Sequence, residues 1–272
     1  SSKWNNVLLK GSDIEQGEVV FLQYTKINDR VIGTLKSLGI NEVVVYERLK
    51  VAIISTGDEL TLNSELKIGE ICDINTFTIS NYIKDYCDIK KQVIIKDDFE
   101  QYKNAIYQGF EECDLVLSSG GSSVGDKDYT AAIMKELGAD VFVHGINIKP
   151  GKPTVLARYK KKAFIGLPGQ PTSAYVVLNV IFKEFYDAIY HQTKKPQPYI
   201  LATLSMKVHA KAGRKLFQIV SLENILNPIA TPLLSKSGMI KSLSKADGYI
   251  IVDDNSEGYN KNDTVKVYRY GD

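Results

Sequence analysis

The sequence predicts an α/β fold, with a parallel-sheet domain over residues 51–193, a small partial N-terminal domain over 1–50 and a β-barrel-like C-terminal domain over 199–272. Three observations predict it. Short, nearly unbroken apolar runs recur from Val51 to Ile165, amphipathic stripes lie between them, and strand-like alternation follows a proline-containing polar linker. Unbroken short runs suit strands covered on both faces by helices. Their alternation with helices is the pattern of a doubly wound sheet.

In the first segment, Val19 to Leu22 and Glu42 to Tyr46 read as strands, and Arg30 to Leu38 as a short helix stopped by Gly39. Fifty residues hold little core, so this piece is expected to lean on something else. The second segment carries strand runs at Val51–Ile54, Val93–Ile95, Leu115–Leu117, Val141–Val143, Val155–Ala157 and Phe164–Ile165. Ile79, Tyr82, Ile83 and Tyr86 form one helical stripe. Leu178, Ile181, Phe182 and Phe185 form another, extended by Ile189. After Lys194-Lys195-Pro196-Gln197-Pro198, Leu204, Met206 and Val208 alternate with polar residues, as do Val265 and Val267. Phe217–Val220 and Tyr249–Val252 are further strands, and no long helical stripe appears, which suits a small barrel or sandwich.

Composition narrows the function. A net charge of +2 over 272 residues does not suggest a nucleic-acid partner. Lysine supplies most of the positive charge, so an anion site here leans on lysine and backbone N–H groups rather than arginine forks. Cys72, Cys87 and Cys113 are dispersed and odd in number, against a disulfide framework or a zinc site and for a reducing compartment. His144, His191 and His209 make no ligand cluster. No apolar run approaches membrane-spanning length and no signal-peptide pattern opens the chain, so no membrane partner and a cytoplasmic location are expected.

Ligands of open parallel sheets bind outside the carboxyl ends of the strands. Five strand ends here carry glycine, hydroxyl, carboxylate or lysine residues. Ser55-Thr56-Gly57-Asp58-Glu59 follows the first run and Lys96-Asp97-Asp98 the second. The third is followed by Ser118-Ser119-Gly120-Gly121-Ser122-Ser123-Val124-Gly125-Asp126-Lys127-Asp128. His144 and Lys149-Pro150-Gly151-Lys152-Pro153 come next, then Gly166-Leu167-Pro168-Gly169-Gln170. Gly120, Gly121 and Gly125 let the backbone approach a ligand and adopt positive φ. Consecutive N–H groups there make an anion nest, to which Ser119, Ser122 and Ser123 add hydroxyl donors. The plain alternative is a tight strand–helix turn capped by Asp128. The spacing is neither a Walker A loop nor GxGxxG. Lys149 and Lys152 flank a Pro-Gly turn and suit a phosphate or oxyanion, though turn lysines are more often merely solvated. Asp58, Glu59, Asp97 and Asp128 near a phosphate suggest a hard cation such as Mg²⁺. N-capping of the helix from Phe99 accounts for at least one of Asp97 and Asp98.

These segments together resemble the molybdopterin molybdenumtransferases, the MoeA family that includes the E domain of gephyrin. The resemblance runs from about Val7 to the C-terminus, in order and spacing. It implies that adenylylated molybdopterin and molybdate are the substrates, that AMP is released, and that molybdenum reaches the dithiolene with a divalent cation. By position, Glu59, Asp97, Asp128 and Lys149 match acidic and basic catalytic positions, with Asp97 and Asp128 as metal ligands. Thr56, Gly57, Ser119 to Ser123, Gly125, Lys152, Pro168, Gly169, Arg214 and Ser237 fall in the ligand-binding set. A homodimer and a pathway partner, molybdopterin adenylyltransferase, are implied too. Two departures stand out. Where the family has a second site lysine, this chain reads His144-Gly145-Ile146-Asn147-Ile148. The family's extended N-terminal part, which adds site residues across a dimer interface, is absent from the sequence.

Two other readings compete. One is a non-catalytic molybdopterin-binding or gephyrin-like scaffold fragment, for which no peptide groove is legible. The other is a molybdopterin adenylyltransferase, which would lack the flanking segments 1–50 and 194–272.

Overall fold

The computed structural model describes residues 7–63, 65–121, 129–192, 196–234, 238 and 240–271. The chain divides into two compact units, Ser1–Tyr46 with Phe185–Lys195, and Glu47–Glu184 with Pro196–Asp272.

The first unit contains α1 (Asp29–Ser37), where the helix was expected. Asn28 caps it by accepting from the Val31 N–H at 3.1 Å, and Gly39 leaves it at φ +76. The strands expected at Val19–Leu22 and Glu42–Tyr46 do not form. A strand is stable only where another takes its backbone hydrogen bonds, and among the described residues this unit holds none. Val19, Leu22, Val44 and Val45 are exposed instead. Tyr24 packs on His191, with ring centroids 4.5 Å apart, and Tyr46 packs edge-on to Tyr190.

The second unit opens with β1 (Lys50–Thr56), β2 (Leu60–Thr61), β3 (Ile71–Cys72), α2 (Ile74–Ile83), β4 (Asp88–Ile95), α3 (Phe99–Glu112), β5 (Leu115–Ser119) and α4 (Tyr129–Glu136). Next come β6 (Asp140–His144), β7 (Ile148–Lys149), β8 (Val155–Tyr159), β9 (Lys162–Leu167) and α5 (Pro171–Val177). A π-helical turn (Leu178–Phe182) leads into α6 (Lys183–Ile189), which from Phe185 on belongs to the first unit, so the expected second stripe is one helix with a widened turn. The main sheet has the order β4-β1-β5-β9-β8-β6. β4, β1, β5 and β9 are parallel, as expected. β8 departs, running antiparallel to both β9 and β6. It is the outgoing arm of a hairpin that turns at Lys160, φ +55, and returns as β9. The end of β6 and the start of β8 therefore lie at the carboxyl edge of the parallel strands.

Val51 to Ile54 are fully buried because both faces of the sheet are covered. Ala52, Ile54 and Val116 face Tyr102, Ile106 and Phe110 of α3 and Ile133 and Met134 of α4. Alternate side chains point to the opposite face, where α2 and α5 pack.

The C-terminal segment forms β10 (Ile200–Leu204), β11 (Val208–His209), β12 (Lys215–Glu223), β13 (Ile229–Pro232), α7 (Ile240–Ser244), β14 (Gly248–Val252), β15 (Gly258–Tyr259) and β16 (Thr264–Arg269). The order β13-β10-β16-β14-β12 closes by pairing β12 with β13, giving the expected barrel. Its interior holds Leu204, Val220, Ile250, Val252 and Val267. Met206, expected in the first barrel strand, falls beyond β10 and is partly exposed. β7 adds to β12, pairing Ile148 with Lys215 and Lys149 with Leu216. Phe217, Ile219, Tyr249 and Tyr270 pack against Val176 of α5.

Candidate functional site

The carboxyl edge of the sheet brings three expected loops together. Register places Ser55 beside Ser119 and Ser119 beside Leu167, with Thr56 beside Ile95. β1 and β5 end in hydroxyls, Thr56 and Ser119, because their apolar runs stop there, whereas β4 and β9 end on Ile95 and Leu167.

Gly120 is where the loops meet. It takes φ +92, and a Cβ on it would strike the Thr56 carbonyl. A Cβ on Gly169 would lie 3.6 Å from Gly120 Cα, so the loops after β1, β5 and β9 touch with almost no side chain between them. Gly121 takes φ +65 and rests on the ring of Tyr102, which a Cβ would approach to 2.7 Å. Beneath the loop, the buried Tyr102 hydroxyl bonds Ser118 Oγ at 2.7 Å and Thr130 Oγ1 at 3.2 Å, and Thr130 donates to the Gly121 carbonyl at 3.0 Å. The glycine pair is thus pinned by α3 and α4 below, and both glycines are half-buried. Ser122, Ser123, Gly125 and Asp128 lie outside the described residues, as does Ser237.

The carboxylates separate by role. Asp98 caps α3, accepting from the Gln101 N–H at 2.8 Å. Asp97 is left for the site, and its Oδ1 accepts from Thr56 Oγ1 at 2.6 Å. Asp58 Oδ1 accepts the Asp97 N–H at 3.2 Å. Glu59 is exposed, and both its oxygens would lie 3.0 Å from a Cβ on Gly57, so this carboxylate folds back over Gly57. Among the described residues, no three carboxylate, imidazole or thiolate side chains gather as an ion-binding cluster.

Lys149 ends β7 and Lys152 follows the turn; both are exposed, and among the described residues neither has an ion-pair partner. The turn is anchored underneath. Gly151, at φ +115, has Val177 and Ile148 where a Cβ would go, and its carbonyl accepts from Thr154 Oγ1 at 2.7 Å. Pro168 is buried and Gly169 exposed. Arg214 follows a turn at Gly213, φ +85. The Asn147 amide donates to the Gly213 carbonyl, and the Lys215 N–H donates back to the Asn147 carbonyl at 3.2 Å. The lysine turn of the sheet domain and the Arg214 turn of the barrel are therefore one tied structure. His144, at the end of β6, is exposed.

Sequence reasoning missed Asn75, Tyr102, Thr130 and Asn147. Asn75 Nδ2 donates to Ser119 Oγ and to the Gly169 carbonyl, each at 2.7 Å. A polar residue in the first turn of a helix reads simply as a helix start. The only clue was Asp73 two residues earlier, which caps α2.

Residues 52–188 match the family described as Probable molybdopterin binding domain, and residues 202–270 match the MoeA C-terminal region (domain IV). A Methanocaldococcus jannaschii protein named for molybdopterin biosynthesis is 35% identical over 273 residues, covering 97% of this chain and 65% of its own length. A molybdopterin molybdenumtransferase of Haemophilus influenzae is 35% identical over 217 residues, covering 78% of this chain and 53% of its own length. The crystal structure of a Pyrococcus horikoshii molybdopterin biosynthesis MoeA protein superposes with a TM-score of 0.83 at 32% identity, covering 95% of this chain and 64% of that one. The chain thus spans between about half and just under two thirds of these relatives.

Proposed function

We propose that this chain, which belongs to the MoeA family of molybdenum cofactor biosynthesis, binds molybdopterin at the carboxyl edge of the sheet and acts as a molybdopterin molybdenumtransferase. The observation that carries this reading is the meeting of three strand-end loops at Gly120 with almost no side chain between them. A flat run of backbone with hydroxyls beside it suits a phosphate. In the full reaction proposed, adenylylated molybdopterin and molybdate are the substrates and AMP is released.

The chain's own groups would divide the work. The N–H groups of Gly120 and Gly121, with the Ser119 hydroxyl, hold the terminal phosphate of the pterin. Lys149 and Lys152 offset its charge as the phosphoanhydride is cleaved. Thr56, Gly57, Pro168 and Gly169 shape the walls. Arg214 reaches the site from the barrel side, since its turn is tied to the lysine turn through Asn147. Glu59 and Asp97 orient water toward the phosphoanhydride, together with Asp128.

A divalent cation fits the donor chemistry. Mg²⁺ takes oxygen ligands, keeps several waters and needs only one or two carboxylates. Asp97 has one oxygen bound to Thr56, and nothing among the described residues engages the other. Asp97 and Asp128 would hold the ion, which when bound stabilises charge developing on the phosphoanhydride oxygens. A homodimer, and supply of substrate by a molybdopterin adenylyltransferase, belong to the same proposal.

The barrel supports this reading over an adenylyltransferase, because residues 202–270 match the MoeA C-terminal region. The test is equilibrium binding of molybdopterin to the 272-residue chain, with and without Mg²⁺. Saturable binding is expected. Absence of binding in both conditions would remove the pterin site.

A further inference from the structure

Asn75 stands at the first turn of α2, on the face of the sheet opposite the Tyr102 pedestal. It is almost fully buried, 9% exposed, and its amide nitrogen bridges two loops that carry proposed ligand-binding residues. The Gly169 carbonyl only accepts hydrogen bonds, so the amide must turn its nitrogen toward it. Both hydrogens are then committed, one to Gly169 and one to Ser119 Oγ. Ser119, having accepted, keeps its own hydrogen to donate. Neighbouring contacts leave little freedom on this side. Ser55 Oγ bonds Thr76 Oγ1 at 2.8 Å, and Asp73 accepts from the Thr76 N–H at 3.1 Å, so the start of α2 is fixed to the strand end.

We infer that Asn75 is a positioning residue of the pterin-phosphate site: its amide sets the separation of the β5 and β9 loops and orients the Ser119 hydroxyl as a donor. This rests on the functional reading above and adds to it a residue that never touches the reacting atoms. Without the bridge, the Gly169 carbonyl and Ser119 each lose a buried partner, and the loops are free to part at Gly120.

Asn75→Asp tests this, because it keeps the shape and removes the donor. When ionised, the introduced carboxylate faces the Gly169 carbonyl, an acceptor against an acceptor, and draws the Ser119 hydrogen to itself. When protonated, it donates again. Molybdopterin affinity of Asn75→Asp is therefore expected to fall roughly tenfold or more at about pH 8. Relative to the unsubstituted chain, it recovers as pH falls toward about 4, where an aspartate carboxyl takes up its proton. Asn75→Ala, with no charge, is expected to weaken binding at every pH with no recovery. Hydrogen exchange should rise in the β5 and β9 loops of Asn75→Ala and remain unchanged in the barrel. A role in folding alone would not produce the pH-dependent recovery.

Equal affinity of the unsubstituted chain and Asn75→Ala would overturn the role of Asn75. A folded Asn75→Asp whose deficit does not change with pH would overturn it too. Failure of the unsubstituted chain to bind molybdopterin would instead overturn the functional reading, and the exchange data on Asn75→Ala would still decide whether the bridge holds the loops.

Discussion

Thr56 donates a 2.6 Å hydrogen bond to Asp97, while the neighbouring Asp98 turns away to cap α3. Adjacent carboxylates thus do different work, and substitution should separate them. Asp98→Ala is expected to lower stability by about 1 kcal/mol, the ordinary loss for an N-cap, and to leave ligand affinity unchanged. Asp97→Asn is expected to leave stability within about 1 kcal/mol and to weaken Mg²⁺-dependent binding roughly tenfold. Denaturant unfolding and ligand titration of both variants would show the pattern; the reverse pattern would exchange the roles.

Asp128→Asn is expected to reduce cation-dependent turnover with little change in the unfolding midpoint. Unchanged turnover at saturating Mg²⁺ would remove Asp128 from the mechanism.

The glycines differ in what lies beside them. Gly120→Ala drives a methyl into the Thr56 carbonyl at φ +92, where no flexible side chain can yield. A loss of about 3 kcal/mol is expected. Gly121→Val places a branched side chain where the ligand approaches the backbone. The structure adds a second cost, since the new Cβ meets the Tyr102 ring. Weakened phosphate binding together with lowered thermal stability is the expected result. Normal binding by a folded Gly121→Val would end the nest reading.

Asn147→Ala should loosen the link between the lysine turn and the Arg214 turn while leaving Lys149, Lys152 and Arg214 in place. Ligand affinity is expected to fall roughly threefold to tenfold, with stability changed by about 1 kcal/mol. If Arg214→Ala and Asn147→Ala combine additively in a double-mutant cycle, the tie does not position Arg214.

Burial pushes the Cys87 thiol up to about 12, against the lowering effect of Arg48, and also raises Cys113. Only thiolates alkylate readily. Iodoacetamide at pH near 8 is therefore expected to label the exposed Cys72 and spare the other two, as read by peptide mass mapping. The folded-state pKa of Cys87 lies above its unfolded value of 9.0. Its contribution to stability is thus present below that value and lost as pH rises toward about 12. Rapid neutral-pH labelling of Cys87 in the folded chain would contradict its burial.

The sequence by itself determined the six strands of the main sheet and β12, β14 and β16 of the barrel, because an apolar run such as Val51–Ile54 has few other ways to leave water, but it did not show β7 or β13. It also placed hydroxyls, glycines and carboxylates at the strand ends, since those residues stop the runs. Tertiary structure decided the rest. It denied strand pairing to Val19–Leu22 and Glu42–Tyr46, because a ladder needs a partner that local sequence cannot supply. It reversed β8, because the tight turn at Lys160 can join it to β9 only as an antiparallel neighbour. It divided Asp97 from Asp98, brought Arg214 to the lysine turn through Asn147, and set Asn75 between Ser119 and Gly169. Each of these contacts joins residues far apart in the chain or turns on one side chain's direction. Periodicity reports only which face a residue occupies, and only packing decides what that face meets.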